Sequence, residues 1–187
     1  DLWEALRAAD TKPFGFTACY PGPGVGGQCI AIEPNYRSHS VRSLGYQFRF
    51  VELAQEVSNR MPAYVVSRVQ GLLNDHEKPV KNSKVLLLGL TYKPNIADDR
   101  ETPARPVVRG FRSRGARVIG HDPYLDRFEV DGEEIELATD LAAACADADV
   151  VVLLQTHREY DLAEIAACGV PVFDTRGSMT GDLVERL

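Results

Sequence analysis

Four glycines crowd the segment Gly22-Pro23-Gly24-Val25-Gly26-Gly27-Gln28-Cys29, directly ahead of a cysteine and the apolar strip Ile30-Ala31-Ile32. Glycine lacks a Cβ, so it lets the main chain approach a neighbour closely and take positive φ. A thiol at the end of such a loop can be offered to a bound substrate, where its thiolate is the reactive form. The spacing Gly22-x-Gly24-x-x-Gly27 also satisfies a dinucleotide fingerprint. That fingerprint needs a strand before it and a helix opening within it. Here Pro21 and Pro23 flank the glycines and Cys-Ile-Ala-Ile-Glu-Pro follows, so a loop presenting a cysteine fits better than a phosphate loop. The alternative for Cys29 is a small packed hydrophobe.

Around this loop the chain divides into two regions. From Asp1 to about Asp75 the pattern predicts a short helix, the glycine loop and a long helical stretch. In that stretch Phe48, Val51, Ala54 and Val57, then Val65, Val66, Val69, Leu72 and Leu73, recur at helical spacing. Pro62 has no N–H and is expected to kink or divide this helix. His76 to Ser83 reads as a polar linker. From Lys84 onward strands and helices alternate. Val85-Leu86-Leu87-Leu88 and Val150-Val151-Val152-Leu153-Leu154 are apolar throughout, as strands covered on both faces are. Arg117 to His121 and Val170 to Asp174 supply two more strands. Thr102-Pro103 opens a helix that carries Val107, Val108 and Phe111 and ends at Gly115. Further helices are expected around Asp140–Ala146 and Leu162–Ala167. The fold class is therefore α/β: a Rossmann-like parallel sheet over 84–187, preceded by a helical segment over 1–75. The first strand-to-helix loop, Gly89 to Glu101, contains no G-x-G-x-x-G. Tyr92, Lys93, Asp174 and Arg176 fall at the carboxyl ends of strands, where open parallel sheets bind ligands.

Bulk properties narrow the class. The chain has 187 residues, 44% of them hydrophobic and 26% charged, and a formal net charge of −6. That balance argues against a nucleic-acid partner, which calls for a basic footprint, and no apolar run approaches membrane-spanning length. The cysteines Cys19, Cys29, Cys145 and Cys168 form no C-x-x-C pair, a pattern that suits reduced thiols in a cytoplasm, with no disulfide framework and no metal site. His39, His121 and His157 have no partner pattern and read as surface or packed histidines.

Three separated motifs together resemble one family, the nucleotide-sugar 6-dehydrogenases of the UDP-glucose/GDP-mannose type. The first is Thr11-Lys12-Pro13-Phe14-Gly15-Phe16 with Tyr20-Pro21-Gly22-Pro23-Gly24-Val25-Gly26-Gly27-Gln28-Cys29-Ile30. The second is Leu88-Gly89-Leu90-Thr91-Tyr92-Lys93-Pro94-Asn95, running into Asp98-Asp99-Arg100-Glu101-Thr102-Pro103-Ala104. The third is Phe173-Asp174-Thr175-Arg176. Asn59-x-Met61-Pro62-x-Tyr64-Val65-Val66 adds to the likeness, whose flavour is that of the UDP-N-acetylhexosamine branch. The resemblance implies the second half of such an enzyme: the end of the central, dimer-forming helical region and the C-terminal nucleotide-sugar domain. An NAD domain, with the central-helix Lys and Asn of the family, is then expected before Asp1, and the chain alone is expected not to turn over.

The resemblance also implies roles. The family oxidises the sugar's C6 alcohol to a carboxylate with two NAD, through an aldehyde captured as a cysteine thiohemiacetal and then a thioester. Cys29 matches the nucleophile and Glu33 the carboxylate that positions water. Tyr20, Gly22, Gly24, Val25 and Gly26 match the stretch that wraps the sugar. Cys29, Ile30, Ala31 and Ile32 match the approach to the nicotinamide. Tyr92 and Lys93 match contacts to uridine and phosphates, and Arg176 a substrate-binding arginine. Lys12 lies near a basic residue that reaches the neighbouring subunit's substrate. Arg100 matches a position near the NAD phosphates, with an ion pair to Asp98, Asp99 or Glu101 as the alternative. Two residues depart from the pattern: Gln28 stands where many relatives carry His, and Glu33 where the family has Asp. A misplacement of about 1 Å in a reacting group can cost roughly a hundredfold in rate. Both departures keep a second reading open, a catalytically inactive nucleotide-sugar-binding or dimerisation module. An unrelated cysteine hydrolase lacks the required histidine.

Overall fold

The computed structural model describes residues 1–187. Three helices come first: α1 (Leu2–Asp10), α2 (Glu33–Ser43) and α3 (Arg49–Asp75). An α/β unit follows, with β1 (Lys84–Leu88), α4 (Ala104–Arg112), β2 (Arg117–His121), β3 (Glu129–Val130), β4 (Glu133–Glu134), α5 (Leu141–Asp147), β5 (Val150–Leu153), α6 (Leu162–Ala166), β6 (Val172–Asp174) and β7 (Val184–Arg186). Five strands form one sheet in the order β2-β1-β5-β6-β7, every neighbouring pair parallel. β3 and β4 make a separate two-stranded antiparallel ribbon. The chain winds one way from β1 to β2 and returns past β1 to β5, so the order reverses between β1 and β5. That reversal leaves a crevice at the strands' carboxyl ends.

The alternation of side chains along a strand builds two cores. Val85, Leu87, Val150, Val152 and Phe173 face α3 and α4, meeting Val65, Val66, Val69, Leu73, Val107, Val108 and Phe111. Leu86, Leu88, Val151, Leu153 and Val172 face the other way, onto Cys145 of α5 and Ile165 of α6. The second half of α3 thus belongs to the same hydrophobic cluster as the sheet. No helix is long and apolar enough to cross a membrane.

Three local features differ from the sequence expectation. Pro62 lies inside a continuous 27-residue α3 and does not divide it. The carbonyl that its missing N–H leaves free belongs to Ser58, and it lies against Gly24 of the glycine loop, so the helix loses a bond where another segment packs. A separate α2 precedes α3, opening at Glu33-Pro34 with proline in the first turn. Pro103 takes the N-cap position of α4, while the Thr102 hydroxyl accepts the Ala104 amide at 3.2 Å and still serves the helix start. β7 and the β3–β4 ribbon, all three residues or shorter, carried no period to read.

Helices α3 and α4 meet at Gly110, where an added Cβ would lie 2.8 Å from Cγ2 of the fully buried Val66. In a free helix Gly→Ala gains roughly 0.5–1 kcal/mol. Overpacking a tight core contact costs about 1–3 kcal/mol. Gly110→Ala is therefore expected to lower the urea midpoint, against the usual sign for this substitution. A raised midpoint would mean that α3 and α4 are not in this contact.

Candidate functional site

The crevice at the carboxyl ends of β1, β5 and β6 is closed from above by the glycine loop, and the glycines are spent on side chains of the sheet domain. A Cβ on Gly22 would stand 3.0 Å from Arg176 Nη1. A Cβ on Gly26 would stand 2.5 Å from Tyr92 Cβ, and one on Gly27 would stand 2.6 Å from the Tyr92 ring. The Gly27 amide also donates to the Arg100 carbonyl at 3.0 Å. The result is a cleft of about 470 Å³ that unites Tyr20, Gly22, Gly24, Val25, Gly26, Tyr92, Lys93 and Arg176. Ser58 and Met61 of α3 join the lining. Met61 stood in the Asn59-x-Met61-Pro62 motif without a site role, and Ser58 was not singled out; their spacing of three places them on one face of α3.

The cleft is cationic. Arg176 is largely enclosed and donates through Nε to the Leu154 carbonyl at 2.7 Å. Its guanidinium makes no ion pair; burial pushes its pKa down, and the charge of Asp174 only partly offsets that. Asp174 itself is fully buried and occupied by the amides of Arg176, Ser178 and Met179 at 2.6–2.7 Å, which turn the chain sharply after β6. Lys93 also makes no ion pair, and its ammonium lies 5.5 Å from the Tyr92 ring centroid. Tyr20 is set by α1: its ring stacks on Trp3 at 6.3 Å and its hydroxyl donates to Asp10 at 3.2 Å. Trp3 in turn packs on Gly177 and donates from its indole to the Leu187 carbonyl at 2.9 Å, fastening α1 to the sheet domain.

Cys29 opens into a different cavity of about 380 Å³, shared with Glu33, Pro34, Arg37, Phe48 and Val51. The thiol is exposed. The turn that carries it is closed by the Ile32 amide on the Gln28 carbonyl at 2.9 Å and tied to α3 by Gln55, whose amide donates to the Ala31 carbonyl at 3.3 Å. Ile30 projects with 69% of its surface exposed. Arg37, one turn after Glu33 on α2, was not singled out in the sequence. Lys12 is exposed and lines neither cavity. Arg100 is exposed and ion-paired to Asp98 at 2.6 Å. That guanidinium holds the Asp98 carboxyl down to about 2. No group of three or more His, Cys, Asp or Glu is placed to hold a metal ion.

The contact of Gly27 with Tyr92 can be separated from backbone strain. Gly27 has φ +78°, so Gly27→Ala costs about 1–2 kcal/mol from the left-handed conformation alone. The collision with the ring adds about 1–3 kcal/mol. In a Tyr92→Ala background only the first cost should remain, and a double-mutant cycle by urea unfolding should give a coupling of at least about 1 kcal/mol. Strict additivity would show that ring and loop are apart.

The chain matches the UDP binding domain of the UDP-glucose/GDP-mannose dehydrogenase family over residues 86–181, and the central domain of the same family over residues 1–60. It is 31% identical over 194 residues to the UDP-N-acetyl-D-mannosamine dehydrogenase of Methanococcus maripaludis, covering 100% of this chain and 42% of that protein. It is 32% identical over 179 residues to the NDP-N-acetyl-D-galactosaminuronic acid dehydrogenase of Ralstonia solanacearum, covering 95% of this chain and 40% of that one. Its fold is similar to the crystal structure of NDP-N-acetyl-D-galactosaminuronic acid dehydrogenase from Methanosarcina mazei, with a TM-score of 0.85 at 22% identity over 100% of this chain and 43% of that one. The chain thus spans less than half the length of these relatives. With both domains matched in order along its length, the chain belongs to the UDP-glucose/GDP-mannose dehydrogenase family.

Proposed function

We propose that this chain is the central and nucleotide-sugar-binding part, 1–75 and 84–187, of an NAD-dependent nucleotide-sugar 6-dehydrogenase that oxidises the C6 alcohol of a UDP-sugar to a carboxylate. The observation that carries the reading is the enclosed, unpaired guanidinium of Arg176 beside Lys93 in a cleft lined by Tyr20 and Tyr92. Two cations that make no ion pair suit a diphosphate, because charge-assisted hydrogen bonds to phosphate are roughly twice as strong as neutral ones. The aromatic rings suit a base or sugar face. Cys29 would anchor the four-electron oxidation: once the C6 alcohol had lost a first hydride and its hydroxyl proton, the thiolate would add to the aldehyde carbon, and after loss of a second hydride water would release the carboxylate and free the thiol. NAD, when bound, accepts the hydrides. The fit to that cofactor is partial. Exposed Ile30 beside Cys29 offers an apolar face for a nicotinamide ring, whereas Arg100 would have to exchange Asp98 for a cofactor phosphate. Glu33 is the carboxylate available to orient water at Cys29.

The reading implies a homodimer through the helical region. Phe50, Leu53 and Val57 lie at i, i+3 and i+7 of α3 and are 89%, 54% and 52% exposed, an apolar stripe of the kind a partner helix covers. A second reading, a binding module without turnover, draws on the separate cavity of Cys29.

Two measurements test these readings. UDP should bind the chain in calorimetry, and Arg176→Ala should weaken binding by at least about tenfold, since hydrogen bonds to charged groups contribute about 1.5–3 kcal/mol. Unchanged affinity in that variant would remove the diphosphate site. Iodoacetamide should reach the exposed Cys19 and Cys29 well before Cys145, whose thiol burial pushes up to about 12. A UDP-sugar should then protect Cys29 and leave Cys19 reactive. Protection of neither favours the module.

A further inference from the structure

The loop that carries Tyr92 and Lys93 is fastened from beneath by a buried polar cluster outside the proposed binding and catalytic residues. Asp122, just after β2, accepts the Leu90 and Thr91 amides through Oδ2 at 2.7 and 3.1 Å and the Tyr124 amide through Oδ1 at 2.9 Å. His157, in the connection from β5 to α6, lies with Nε2 at 3.1 Å from the same Oδ2. Both side chains have 0% exposure. The other ring nitrogen, Nδ1, receives the Asn95 backbone amide at 2.9 Å. An amide N–H only donates, so Nδ1 must be an unprotonated acceptor and the ring proton must sit on Nε2, donated to Asp122. One imidazole therefore joins three segments: the ends of β1 and β2 through Asp122, and the far side of the Tyr92–Lys93 turn through Asn95.

The neighbours reinforce the same loop. Gln155 donates to the Tyr92 carbonyl at 3.0 Å, Thr91 Oγ1 donates to the Lys93 carbonyl at 3.0 Å, and the Arg158 amide donates to Asn95 Oδ1 at 2.8 Å. Asn95 holds φ +63°, a left-handed conformation that needs such support. The rings of Tyr124 and Tyr160 pack on His157 with centroids 5.1 and 5.4 Å away.

We propose that His157 is a positioning residue for nucleotide binding: fixed by Asp122 as the Nε2–H tautomer, it holds the Asn95 amide and so presents Tyr92 and Lys93 to the cleft. This rests on the reading of the cleft as a diphosphate site. It acts through other groups and touches no substrate.

Two half-isosteres separate the two bonds. Asn carries an oxygen where His carries Nδ1, and Gln carries an NH₂ where His carries Nε2. His157→Asn keeps the acceptor for Asn95 and loses the donor to Asp122; His157→Gln does the reverse. His157→Gln should weaken UDP binding by about tenfold, and His157→Asn by no more than about twofold, although the latter should melt at the lower temperature because it leaves the buried carboxylate short of a donor. Nitrogen NMR should find Nδ1 of His157 unprotonated in the wild-type chain. The Asn95 amide should exchange with solvent slowly in the wild type and in His157→Asn, and rapidly in His157→Gln. Affinity losses that follow melting temperature across the two variants, or a protonated Nδ1, overturn the proposal. If the wild-type chain fails to bind UDP, the diphosphate reading falls, and the exchange of the Asn95 amide still decides whether His157 holds the loop.

Discussion

At Gly26 and Gly27 the backbone runs so close to Tyr92 that a methyl group at either position would collide with it, and the cleft depends on that approach. The glycine loop has no strand or helix of its own to fix it; it is placed by contact. Gly22 rests against Arg176, Gly24 against Pro103 and Pro62, and Gly26 and Gly27 against Tyr92. Each missing Cβ lets one more part of the sheet domain or of α3 come within van der Waals distance. The density of glycine reflects the packing of backbone on side chains, and any main-chain donors offered to a ligand come as its consequence. A loop so placed can be no more precise than the side chains beneath it, which is why the tethering of Tyr92 from the opposite side matters.

Charge follows the same logic. The chain carries a net charge of −6, and most of its arginines are spent on carboxylates at the surface, where pairs contribute little. Arg176 and Lys93 differ in standing together in a cleft with no ion pair to either, although the charge of Asp174 acts on Arg176 and that of Asp98 on Lys93. An arginine pushed out of water without a carboxylate is costly to the fold, and it is kept only by a carbonyl, Leu154. The nearest carboxylate, Asp174, has its oxygens committed to three amides of the turn that follows β6. The same acid therefore shapes the turn that aims Arg176 and leaves Arg176 free for a ligand.

What the sequence made legible tracks how locally each feature is encoded. β1 and β5 announce themselves as unbroken apolar runs because both of their faces are covered. Asp140 and Asp161 mark the starts of α5 and α6 because an N-cap is a contact within four residues. β7 gives no such signal: three half-buried residues at a sheet edge carry no period. Pro62 misleads because the rule for proline assumes that its helix stands alone, whereas here a loop packs on the freed carbonyl. The cleft was legible through its motifs and through Tyr92, Lys93 and Arg176 falling at the carboxyl ends of strands. Ser58, Gln155 and His157 each need a partner tens of residues away, and a lone histidine in sequence says nothing about which of its nitrogens will accept.

The two cavities constrain any chemistry the chain takes part in. Cys29 and the cationic cleft are joined by Gly26, Gly27 and Gln28, so on the proposed reading the sugar of a diphosphate held in the cleft would have to pass that short segment to meet the thiol. The segment then does two jobs: its glycines settle on Tyr92, and its last residue starts the turn that aims Cys29. Glu33 sits where the same turn becomes α2, in the first turn of a helix whose N-cap, Ile32, supplies no side-chain acceptor. Arg37, one turn on, shares its cavity. Glu33 is one methylene longer than Asp, and it lines that cavity together with Cys29. On the proposed reading, a Glu33 carboxylate turned toward Cys29 would belong to a turnover-competent site, and one held by Arg37 to a binding module built on the same fold.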